Sequence, residues 1–184
     1  MSNYWKTFST AFFVLLLQQV LLGQKTAYIA QLLDQAALEV FEPLDAGYRA
    51  FQPMENEYLN CQYAVHSNRE ALQIRYYVQP WNEADKITTT PHVATFRVLT
   101  SVASNADEAI ISAIQPDQAA LLRDFNADWG MVYFFQPKSA FAQAPSCKML
   151  ALSKEGQGTV FVFFLFEDAG NLAIDRRELA VRFR

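Results

Sequence analysis

The side chains best suited to chemistry are few, and their spacing argues against most of what they could do. His66 and His92 are the only two histidines. Neither stands at ligand spacing from the other or from a cysteine pair, so no zinc site or other metal centre is expected. His66 reads as a turn residue and His92 as a residue in the first turn of a helix. No Gly-x-Ser-x-Gly elbow occurs, so the serine hydrolase signature is missing. Cys61 and Cys147 lie in strand-like apolar runs, where desolvation raises a thiol's pKa and leaves it inert as a nucleophile. Gly156 and Gly158 stand between two strand-like runs rather than ahead of a helix. They suit a turn, not a phosphate cradle, and no cofactor is implied.

Carboxylates are harder to dismiss. Asp124 with Asp128, and Glu167 with Asp168, are the acids that folding could bring together, as hydrolases of sugar polymers require. Acids beside helix ends and turns are normally solvated, and no local feature sets these apart. The most distinctive stretch is Phe125-Asn126-Ala127-Asp128-Trp129-Gly130, which leads into an apolar run and then Gln136-Pro137-Lys138. Asn126, Asp128 and Trp129 could form a recognition corner, because an aromatic face beside polar groups suits small ligands or glycans. The competing reading makes Asn126 or Asp128 a cap and Trp129 core. Arg75 and Tyr77, on the wetter face of an expected hairpin, would join that surface with Lys138 if the two hairpins of the chain lie side by side.

The elements that must position these residues begin after an apolar N-terminus. Residues 1–6 are weakly positive through Lys6, and the run from Phe8 to Leu17 resumes at Val20 after Gln18 and Gln19. This is the plan of a secretory signal peptide. The paired glutamines interrupt it short of a membrane span, so a leader over 1–23 with a product starting at Gln24 is expected, with no stable span after its removal. Localisation is then periplasmic or secreted. An oxidising compartment permits one pairing, Cys61 with Cys147; two buried free thiols remain the alternative.

The periodicity predicts a helix over 27–41, with Ile29, Leu32, Leu33, Ala36 and Val40 on one face, and a short strand over 48–52. Strands are expected over 58–65 and 72–78, joined through the polar segment 66–70. Thr90-Pro91 opens a helix over 92–103 whose apolar spacing runs through Val93, Phe96, Leu99 and Val102. Residues 107–114 fit helix or strand equally. A further helix spans 116–125 with Ala119, Leu122 and Phe125 on one side. Residues 131–135 and 159–166 read as central strands, the latter forming a hairpin with 147–152 around the two glycines. From Asn171 a short helix is favoured over a strand. The chain of 184 residues, 52% hydrophobic, fits one α+β domain over 24–184, an antiparallel sheet covered by helices.

This order of elements, ending in Phe163-Phe164-Leu165-Phe166, resembles the PsbP/Mog1 type of fold over roughly residues 40–170. That resemblance implies a helix-covered antiparallel sheet used for binding and assembly, and it carries over no site residue. The stretch from Phe125 to Gly130 is also similar to exported bacterial proteins of no assigned activity.

The net charge of −4 gives no support for a phosphate-binding surface as the main function, and no nucleic acid partner is expected. The basic cluster Arg176, Arg177, Arg182 and Arg184 reads as a solvated face. The leading expectation is an exported non-enzymatic binding or assembly module, its partner a protein or small ligand in the envelope or outside the cell. The alternatives are a carboxylate-dependent hydrolase of an extracellular polymer and a purely structural envelope protein.

Overall fold

A computed structural model describes residues 27–41, 44–53 and 55–184. The expected leader lies outside the described residues. The centre of the fold is set by Gly158–Phe166 (β8), in which every residue is buried. Val160, Val162, Phe164 and Phe166 enter one core and Phe161, Phe163 and Leu165 the other. A strand apolar on both faces must lie between two layers, and β8 does, flanked by Leu72–Pro80 (β4) and Ser146–Lys154 (β7).

Around it runs a seven-stranded antiparallel sheet, in the order Arg49–Ala50 (β2), Tyr63–Ser67 (β3), β4, β8, β7, Trp129–Phe135 (β6) and Ser112–Ile114 (β5). One face is covered by Pro91–Val102 (α3) and the loop carrying Phe141. The other is covered by the helix over 27–35 (α1), by Gln118–Ala120 (α4) with the wide turn Leu121–Phe125, by Ala173–Glu178 (α5), and by a ribbon of Leu38–Val40 (β1) and Val181–Phe183 (β9). The short helix Lys86–Thr89 (α2) leads into α3. The class is α+β, and no helix among the described residues is long and apolar enough to cross a membrane.

Several local expectations are corrected. The helix expected over 27–41 stops at 35, because Ala37 takes φ +47° and turns the chain into β1. The tail from Asn171 holds both a helix and a strand, since β9 pairs with β1 along Leu38↔Phe183 to Val40↔Val181. The strand expected from Tyr58 begins at Tyr63. The Asn56 side chain accepts from the amides of Tyr58 and Leu59, each at 2.9 Å, and binds 56–60 into a loop. Leu59 and Cys61 therefore join the α3 side, whereas Tyr63 and Val65 face the opposite core. His66 is a strand residue opposite Gln73, its ring edge-on to Phe51, and the turn occupies 68–71.

In α3 the sheet-facing residues are Ala94, Thr95, Val98 and Val102, while Phe96 is 68% exposed. The sheet beneath supplies Phe161 and Phe163, so small helix residues fit against it. After α4 the widened turn advances the buried face to Leu121 and Phe125, leaving Leu122 exposed. β6 is second from the edge, and Met131, Tyr133 and Phe134 are only half-buried.

The β7–β8 hairpin forms as expected, and Gly158 is required in it. Its φ is +140°, and a Cβ there would stand 2.5 Å from the Gln79 carbonyl oxygen.

Candidate functional site

The residues singled out from sequence are distributed over both faces rather than gathered into one corner. Asn126 sits at φ +51° and ends the wide turn. Its Nδ2 donates to the carbonyls of Phe183 and Arg184, and its Oδ1 accepts from Lys154 Nζ at 2.8 Å. Asp128 Oδ2 accepts from the Glu155 amide at 2.9 Å. Both side chains tie the β7–β8 hairpin to its surroundings.

Trp129 points to the α3 side, where the His92 ring stands edge-on at 5.0 Å. The two hairpins do lie side by side through β4 and β8, but β8 and β7 still separate β4 from the β6 strand of Trp129. Arg75 is buried rather than wetted, because the Phe141 loop covers it. Its Nη1 donates to the Phe141 carbonyl at 2.5 Å and its Nη2 to Gln73 Oε1, while Nε has no hydrogen-bond partner. Tyr77 lines a small cavity of about 170 Å³ with Tyr58, Arg97 and Ser101. Lys138 stands 4.4 Å from the Tyr58 ring centroid and donates to the Thr100 carbonyl.

The remaining chemistry-bearing groups hold structural contacts. Cys61 and Cys147 are unbridged and buried in the α3-side core. Burial pushes the Cys61 thiol up to about 12, and raises Cys147 as well. Asp124 is paired with Arg123, which holds its carboxyl below the usual range. Asp168 Oδ1 accepts from the Gly170 amide, and Glu167 and Asp168 are exposed.

Arg177 corrects the expectation of a solvated basic face. It grips Glu70 through Nε at 2.9 Å and Nη2 at 2.6 Å, and Tyr48 Oη donates to the same carboxylate at 2.7 Å. Arg177 and Glu70 come from α5 and from the turn between β3 and β4. No spacing in the sequence pairs them.

No protein-family model matches this chain, and no curated protein matches it.

A largely apolar cavity lies under α1, with a volume of about 280 Å³. Ile29, Leu32 and Leu33, at helical spacing, form its roof, and Val40 of β1 closes one end. Ala50, Tyr63, Tyr76 and Val78 of the sheet form its floor. Tyr63 and Tyr76 are directly paired across β3 and β4, with ring centroids 5.7 Å apart. Gln62 completes the wall. Its Nε2 donates to the Val78 carbonyl at 3.1 Å and its Oε1 accepts from the Val78 amide at 2.8 Å. The side chain thus replaces a strand neighbour at a point where β3 has not begun, and keeps both backbone groups of Val78 paired.

The roof residues of this pocket were legible as the apolar face of the first helix. The floor was missed, although setting Arg75 and Tyr77 on the wetter face of the expected hairpin leaves Tyr76 and Val78 on its core-facing side.

Proposed function

We propose that the protein is an exported, non-enzymatic binding module whose site is the pocket under α1, and that its ligand is a small apolar molecule. The observation that carries the reading is the lining: aliphatic side chains and two tyrosine rings around about 280 Å³, with the one amide side chain already satisfied by backbone. Such a wall rewards the removal of carbon surface from water, at about 25 cal/mol per Å². The export half of the proposal rests on the leader-like residues 1–23.

The pocket is tested with the uncharged fluorophore N-phenyl-1-naphthylamine, titrated into the full chain and then displaced with decanol. Enhanced fluorescence that decanol reverses is expected. Ala50 lines the pocket and is itself exposed, so Ala50→Trp fills the space without burying a polar group. This variant should lose the enhancement while melting at the same temperature. Equal enhancement in Ala50→Trp would place the dye elsewhere and sink the proposal. Export is tested separately, by expression with the leader, cell fractionation and intact mass. A product starting near Gln24 outside the cytoplasm is expected, and an uncut chain in the membrane or cytoplasm would overturn it.

A further inference from the structure

β5 is the outermost strand of the sheet and is bonded to β6 on one side; among the described residues nothing pairs with its other edge. Such an edge presents a row of free backbone donors and acceptors. Proteins normally blunt such edges with lysine, proline or a bulge. Here residues 109–114, Ala-Ile-Ile-Ser-Ala-Ile, contain no charge and no proline. Ile110 is 77% exposed, Ile111 45% and Ile114 57%.

Register assigns the faces. Ser112 and Ile114 lie opposite Phe134 and Val132, on the α4 side, and Ala113 lies opposite Tyr133, on the α3 side. An incoming strand would therefore find isoleucine on both faces, with half-buried Phe134 and Tyr133 behind it.

The flanks state the charge of the occupant. Asp107 and Glu108 precede the apolar run and Asp117 follows it, all three exposed. Pairing of this edge with a second copy works against these acids. An antiparallel two-fold centred on Ser112, which keeps each face of the sheet aligned with itself, sets Asp107 opposite the other copy's Asp117. Like charges directly opposed across strands are destabilising.

We propose that the β5 edge is a strand-addition site for an extended segment of a partner protein, apolar at alternate positions and basic at both ends. Main-chain hydrogen bonds supply the affinity, the isoleucines supply the apolar contact, and the acidic flanks select the charge and disfavour self-pairing. This inference is independent of what fills the pocket under α1.

The test uses the labelled peptide Lys-Lys-Val-Thr-Ile-Thr-Val-Lys-Lys and the full chain, read by fluorescence anisotropy and by amide hydrogen exchange. Binding with slowed exchange at residues 110–114 is expected. A peptide with glutamate at the four lysine positions should bind at least about tenfold more weakly. Asp107→Lys with Glu108→Lys should narrow or reverse that preference, and Ile111→Thr with Ile114→Thr should weaken binding at an unchanged melting temperature. Equal binding of a form N-methylated at alternate residues would exclude strand pairing and overturn the proposal, as would failure of the lysine peptide to bind. A concentration-dependent dimer in sedimentation, abolished by the paired isoleucine substitutions, would make the occupant a second copy and overturn it too.

Discussion

At the scale of single residues, two positions carry consequences that chemistry alone would not have ranked. Gly158 has neither a reactive group nor a place in a pocket, yet any side chain there would strike the backbone of β4 at Gln79 and Pro80. Gly158→Ala is expected to destabilise by more than about 2 kcal/mol, from left-handed backbone strain together with that collision. Chemical denaturation measures it, and a change below half that size would mean that the turn can shift away from β4. Glu70, with its side chain 12% exposed, anchors the turn between β3 and β4 to α5. Its hydrogen bonds from Arg177 hold its carboxyl below the ordinary value of 4.5. A depressed folded-state pKa contributes stability that is present above the unfolded value and lost as pH falls through the folded one. Glu70→Gln should therefore cost about 1–3 kcal/mol at neutral pH, and wild type and variant should converge in acid below the ordinary carboxylate range. A gap of constant size from neutral to acid would show that packing, not charge, is what Glu70 contributes.

At the scale of elements, α3 shows how a helix face can be misread. Its apolar residues run at helical spacing along two adjacent stripes, Val93-Phe96 and Ala94-Val98-Val102, and hydrophobicity alone favours the stripe with the aromatic. Packing selects the other, because the sheet already brings the bulk and the helix must come close. Phe96→Ser should consequently change stability by less than about 0.5 kcal/mol, whereas Val98→Ala should cost about 1–2 kcal/mol. The reverse order in thermal melts would restore the sequence-based face. The same logic applies to the strand expected from Tyr58. Alternation extended it across Cys61, but the Asn56 side chain offered the backbone a competing set of bonds and the strand began later. β8 was read correctly because nothing local competed: an eight-residue run entered through a glycine turn and left at Glu167-Asp168 suits a central strand.

At the scale of the whole molecule, both thiols sit in the α3-side core beside Arg75, and burial dominates their titration. Native protein should react with no equivalent of a thiol reagent near neutral pH, and denatured protein with two. Fast reaction of either cysteine in the native state would show that the α3 layer opens. Local periodicity and turn chemistry were enough for the α+β class, the central β8, the β7–β8 hairpin and the apolar face of α1, because each is written within a short stretch of chain. The tertiary structure alone decided that β1 pairs with β9, that Arg177 reaches Glu70, that Arg75 is buried and that a pocket closes between α1 and the sheet. Each of these joins residues far apart in the chain. Their proximity follows from how whole layers stack, which no short window of sequence encodes.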